Sequence, residues 1–244
     1  MTSDLSGKPC KGLHKQAVMR IFDRTIQLSG QTRISSRWAV PDRYADGPRK
    51  ALILAHGAGN DMHNPLLSFV HEGLAQRGLM TIKFNFPYKE LGRRAPDPMP
   101  RLEATWQAAV NALRQDPELA PDRLFLGGKS MGGRVASHLV AEGLACEGLV
   151  FLGYPLHPAG NPERLRDEHL ARIACPMLFI QGTRDPLCDL SLLEGVLSSL
   201  GSRATLRRIE GGDHSFRLLK RLGRSEQAVW DEIQAAVAAW IVAG

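Results

Sequence analysis

Leu124-Phe-Leu-Gly-Gly-Lys-Ser-Met-Gly-Gly-Arg134 is an apolar run that breaks into glycines around a single serine. Within it, Gly128-Lys129-Ser130-Met131-Gly132 fits G-x-S-x-G, the turn that lifts a serine hydroxyl from the end of a strand to the start of a helix. The chemistry explains the glycines. A nucleophile held on so tight a turn needs neighbours without side chains, because strand and helix crowd together there. Ser130 is therefore the candidate nucleophile for acyl transfer. Gly128-Lys129-Ser130 also resembles the end of a phosphate-binding loop. That pattern, G-x-x-x-x-G-K-[ST], requires glycine at position 123, where Arg123 stands.

A serine hydroxyl is a weak nucleophile until a base takes its proton and an acid orients the base. On such a turn the acid and the histidine follow the serine in that order, each after a later strand. Gln181-Gly-Thr-Arg-Asp185-Pro186 puts Asp185 in the loop beyond one apolar strand, and Gly211-Gly-Asp-His214-Ser-Phe216 puts His214 directly after the next. Asp189 is the poorer acid candidate, since its place before Leu190 suits a helix cap. His214 would take the Ser130 proton and later return it to the leaving group, while Asp185 fixes the imidazole tautomer and stabilises the imidazolium. Activity should then rise with pH as His214 loses its proton.

The oxyanion formed in such a reaction needs two amide donors, one after the nucleophile and one in the loop after an early strand. Met131 supplies the first. Ala51-Leu-Ile-Leu-Ala-His-Gly-Ala-Gly59 ends a strand in His56-Gly57-Ala58-Gly59, and Ala58 is the expected second donor, with Gly59 the alternative. His56 precedes the serine and is expected to hold this loop by hydrogen bonds rather than to act as the base. Phe86-Pro-Tyr-Lys-Glu-Leu-Gly-Arg-Arg94 follows another strand, so Tyr88, Arg93 and Arg94 are candidate substrate contacts, although a solvated loop is the plainer reading of the two arginines. Gly153-Tyr-Pro-Leu-His-Pro158 adds His157 as a candidate wall, in a loop whose prolines suit a structural role.

These loops must be carried by alternating strands and helices. Val18–Leu28 and Arg33–Val40 read as strands around Ser29-Gly30. Ala51–Ala55, Met80–Phe86, Leu124–Leu126, Leu149–Leu152, Met177–Gln181 and Ala204–Ile209 read as further strands. Helices are predicted over Pro65–Gln76, Leu102–Arg114, the stretch after Ser130, Pro162–Ile173, Leu190–Leu200 and Ser225–Val242. The alternation implies an α/β fold with a mostly parallel central sheet and helices on both faces. About 20 residues separate the Leu149–Leu152 strand from Pro176, too few for a large lid domain, so an open site is expected. Residues 1–15 are polar and read as a flexible terminus, with 16–244 as one domain.

The chain has 244 residues, 43% of them hydrophobic, enough for a sizeable core in one α/β domain. Its net charge of +6 rests on scattered arginines without interleaved aromatics, which argues against nucleic-acid binding. Cys10, Cys146, Cys175 and Cys188 form no C-x-x-C pair and no zinc spacing, so they read as reduced thiols of a cytoplasmic protein. No signal-peptide core and no membrane-spanning run is present. The chemistry assembled above requires neither metal nor organic cofactor. Nothing in the chain sets its oligomeric state.

Taken together, His56-Gly-Ala-Gly59, Phe84-Asn-Phe-Pro-Tyr88, Gly92-Arg-Arg94, Gly127-Gly-Lys-Ser-Met-Gly-Gly-Arg134, Gly153-Tyr-Pro-Leu-His-Pro158, Gln181-Gly-Thr-Arg-Asp185 and Gly211-Gly-Asp-His-Ser-Phe216 resemble the KANL/testis-expressed type of α/β-hydrolase-like proteins, related to dienelactone hydrolases. The resemblance implies the α/β-hydrolase fold and a serine hydrolase acting on a small-molecule ester or related acyl substrate. It also implies an alternative, a non-catalytic scaffold or interaction protein, because relatives include a regulatory subunit of a histone acetyltransferase complex. A typical dienelactone hydrolase carries cysteine at the elbow. Ser130 at that place favours ester chemistry, with thioesterase and lyase reactions open on the same fold.

Overall fold

Short apolar runs bounded by turn residues become strands covered on both faces. The computed structural model describes residues 19–243. Its strands are β1 (Met19–Ser29), β2 (Thr32–Pro41), β3 (Lys50–Ala55), β4 (Met80–Phe84), β5 (Arg123–Lys129), β6 (Gly148–Leu152), β7 (Met177–Gly182) and β8 (Ala204–Ile209). They form one eight-stranded sheet in the order β1-β2-β4-β3-β5-β6-β7-β8. β1 and β2 pair antiparallel, β2 pairs antiparallel with β4, and the six strands from β4 to β8 run parallel. The parallel strands read as continuous apolar runs because helices cover both sides.

The helices are α1 (Pro65–Ala75), α2 (Pro87–Glu90), α3 (Met99–Arg114), α4 (Met131–Ala141), α5 (Leu190–Leu200) and α6 (Glu226–Ala243). Each face of the sheet has its own core. One packs Phe84, Trp106, Val135, Phe151, Phe179 and Leu193, joining α3, α4 and α5 to the strands. The other packs Leu67, Val70, Phe125, Ile180, Val229 and Ile233 beneath α1 and α6. α1 starts as its sequence implies, with the Asn64 side chain accepting from Leu67 N and Pro65 in the first turn.

Two expectations are corrected. Pro162–Ile173 is not a helix; only a 3-10 turn forms, over Glu168–Arg172. Prolines at 155, 158 and 162 keep the preceding chain extended, and Arg166 N donates back to Leu156 O instead of continuing a helix. The expected Met80–Phe86 strand stops at Phe84, and the Phe86–Arg94 loop contains α2, because Pro87 suits a first helical turn. The flexible segment expected over residues 1–15, and the start of the domain at residue 16, lie outside the described residues.

Candidate active site

Ser130 stands at the junction of β5 and α4 with φ 51° and ψ −117°. A non-glycine residue adopts positive φ only where its surroundings impose it. Here they do. A Cβ at Gly128 would lie 2.3 Å from Ala55 O, and one at Gly132 would lie 2.4 Å from the same oxygen. The two glycines of the pentapeptide thus let β5 and α4 close onto a single carbonyl at the end of β3. Trp106 Nε1 donates to Gly132 O over 3.1 Å and pins the start of α4 to α3.

Asp185 follows β7 and His214 follows β8, so parallel pairing brings both loops to the edge where β5 ends. His214 Nε2 lies 2.8 Å from Ser130 Oγ, and its Nδ1 lies 2.7 Å from Asp185 Oδ2. Asp185 is buried and fully engaged: Gln181 Nε2 donates to Oδ2 over 2.6 Å, and Leu187 N donates to Oδ1 over 2.8 Å. Gln181 in turn accepts from Tyr154 N through Oε1. The histidine turn is tied by Asp213, whose Oδ1 accepts from Ser215 N and Arg217 N. A Cβ at Gly182 would meet Gly212 O at 2.4 Å, so the two loops touch backbone to backbone.

The loop after β3 turns through Gly57-Ala58-Gly59-Asn60, with Asn60 N donating to Gly57 O and Gly59 at φ 76°. A Cβ on Gly57 would stand 3.4 Å from Ser130 Cβ, which sets this turn beside the serine. His56 anchors it. Its Nε2 accepts from Phe86 N over 3.1 Å, which leaves Nδ1 to donate to Gly57 O over 2.9 Å. Burial pushes His56 down to about 4, with the Gly57 carbonyl pulling the other way, so the ring stays neutral near pH 7.

The candidate substrate contacts fall elsewhere than expected. Tyr88 is wholly buried against His56 and Phe86, and burial pushes its phenol up to about 12 while the nearby Gly59 amide opposes that rise. Arg93 pairs with the buried Asp97, which also accepts from Tyr88 N. His157 is buried with both ring nitrogens occupied, by Pro158 O and by Asp189 N. Tyr88 and His157 are therefore buried loop supports, whereas Arg93, though paired with Asp97, and Arg94 are both exposed. Asp189 caps α5, its side chain accepting from Leu192 N. Gln181 escaped the sequence reading. Its one signal is an amide closing the otherwise apolar Met177–Ile180 strand.

Between β6 and β7 the chain carries loops and one 3-10 turn, and Ser130 is partly exposed. An apolar cleft of about 380 Å³, lined by Leu79, Ala238 and Ile241 among others, opens near the start of β3, at the other end of the sheet. Among the described residues no cluster of His, Cys, Asp or Glu is arranged to hold a metal ion. No helix among them is long and apolar enough to cross a membrane.

A lidless parallel sheet with serine, acid and histidine loops at one edge defines a class, and comparison places the chain in it. Residues 48–242 match the model of the alpha/beta hydrolase domain family, so the chain belongs to that family. Its fold is similar to a dienelactone hydrolase from Anabaena variabilis ATCC 29413 (TM-score 0.72, 21% identity, covering 92% of this chain and 97% of that one). It is also similar to an α/β serine hydrolase without lid from Xanthomonas campestris (TM-score 0.68, 21% identity, 90% and 94%). A curated relative from Mycobacterium tuberculosis (strain ATCC 25618 / H37Rv), named "Putative phosphoribosyl transferase", is 25% identical over 197 residues, 80% of this chain. The chain spans 42% of that relative's length.

Proposed function

We propose that the protein is a serine hydrolase that cleaves carboxylic esters of small molecules through an acyl-Ser130 intermediate. One observation carries the reading: the continuous hydrogen-bonded path from Ser130 Oγ through His214 to a buried, fully engaged Asp185, starting at a serine of positive φ. Membership of the alpha/beta hydrolase domain family supports it. The finer resemblance to the KANL/testis-expressed type rests on the motif segments alone, and reduced cysteines favour a cytoplasmic setting.

In the first half-reaction Ser130 Oγ attacks the ester carbonyl carbon as His214 Nε2 takes the hydroxyl proton. The carbonyl oxygen becomes an oxyanion, held by the amides of Met131 and Ala58, and the positive end of α4 favours the same charge. Collapse breaks the bond to the alcohol, which leaves with the proton from His214. Water then attacks the acyl group, giving its proton to His214, and the acid departs as Ser130 recovers its hydrogen. Asp185 keeps Nδ1 protonated throughout.

Labelling with a fluorophosphonate, followed by peptide mapping, tests this. An adduct on Ser130 is expected, lost in His214→Ala. Folded protein without an adduct, joined to stable capture of a macromolecular partner, would favour the scaffold reading instead.

A further inference from the structure

Lys129, the residue before the serine, is a buried cation that the reaction above does not use. Along β5 it shares a face with Phe125 and Gly127 and is 7% exposed. Its Nζ is fully buried and, among the described residues, makes no hydrogen bond. A buried ammonium without hydrogen-bonded partners is costly, and an apolar side chain of similar length would fill the space more cheaply.

The surroundings are built around it. A Cβ on Gly153, whose φ is 74°, would stand 2.9 Å from Lys129 Nζ, 3.3 Å from His214 O and 3.6 Å from His214 Cε1. Lys129 Nζ and His214 thus both border the small space that a side chain at residue 153 would enter. On another side lies the Phe216 ring, its centroid 5.6 Å from Nζ, on a residue of φ 63°. Two left-handed positions thus converge on one lysine beneath His214. With no hydrogen bond made, what the side chain offers its surroundings is its charge.

We propose that Lys129 is a positioning residue of the reaction: its ammonium, seated between Gly153 and Phe216 below His214, offsets the Asp185 carboxylate and sets how readily the imidazole accepts the serine proton. The inference rests on the serine-hydrolase reading. The charged groups gathered here are Asp185 from the loop after β7, which pairs with His214, Asp213 from the histidine turn, and Lys129 from β5, on which both aspartates act. Arg184 reaches the same loop through Gly211 O. Burial brings the lysine down to about 8, with both aspartates opposing, so it is charged over the acid range in which a histidine gains its proton.

The test is the rate constant for fluorophosphonate labelling of Ser130 as a function of pH, in the wild type and in Lys129→Met and Lys129→Gln. Removing the charge should raise the midpoint of the acid limb by about one pH unit, so that labelling well below it slows about tenfold. The alkaline plateau should stay within about threefold. The apolar and the polar variant should move alike, since both lack the charge. A midpoint unmoved in both, with or without a lower plateau, would overturn the inference and leave the lysine a packing role. So would failure of both variants to fold, since the ammonium would then be structural. Wild type that takes no label would overturn the serine-hydrolase reading itself, a result distinct from labelling with an unmoved midpoint.

Discussion

At the scale of single residues, the two non-glycine positions of positive φ among the described residues are Ser130 and Phe216. One carries the proposed nucleophile and the other closes the turn that holds the proposed base. Backbone strain of this kind persists only where neighbouring structure imposes it, and here it gathers at one end of the sheet. Asp185→Asn would present an amide to His214 Nδ1 and reverse the tautomer while leaving the fold intact. Ester turnover is expected to fall by about 10⁴-fold in kcat with KM little changed. A loss below tenfold in steady-state kinetics would remove Asp185 from that role. Ser130, Asp185 and His214 were legible because their order along the chain and their places after strands are both sequence properties. Gln181 was not, because its value depends on facing Asp185 and Tyr154 N at once, a relation that only folding creates.

At the scale of elements, the elbow depends on β3, β5 and α4 approaching closer than side chains allow. Gly128→Ala and Gly132→Ala would each drive a methyl against Ala55 O. Each is expected to cost about 1–3 kcal/mol in urea unfolding and to displace Ser130 enough to abolish labelling. Gly59→Ala meets no such wall and suffers only its φ of 76°, so the smaller loss belongs there. Equal losses at all three would mean that crowding is not what the elbow glycines relieve. Most strands and helices were readable because burial on both faces leaves plain apolar runs. The exceptions are physical. Pro87 begins α2 where the sequence suggests only a loop, and the prolines after β6 override the apolar spacing of Leu165 and Leu170.

At the scale of the whole molecule, the sheet order sets β5 fourth from the β8 edge and β7 next to that edge, so the serine, acid and histidine loops gather from separate strands. Stability should carry the mark of the buried imidazoles that brace this frame. Burial lowers His56 to about 4 and His71 to about 3, the latter reinforced by Lys83 and Arg37. The unfolded chain binds these protons from about pH 6.5 downward, whereas the folded chain resists them until about 4 and 3. Their contribution is therefore intact above about pH 6.5 and is lost as pH falls. Between pH 7.5 and pH 5 the urea midpoint should drop, with about 1–2 kcal/mol from each histidine. A midpoint flat across that range would contradict neutral burial of both rings.

The central claim concerns a covalent bond to Ser130, and trapping that bond tests it most directly. With p-nitrophenyl acetate, rapid acid quenching followed by peptide mass spectrometry should find one acetyl group on the peptide containing Ser130. A stoichiometric burst of p-nitrophenol should accompany it wherever deacylation is the slower step. Ser130→Ala should give neither acetylation nor burst. Steady ester turnover with an unmodified Ser130 peptide, or turnover that survives Ser130→Ala, would contradict the account.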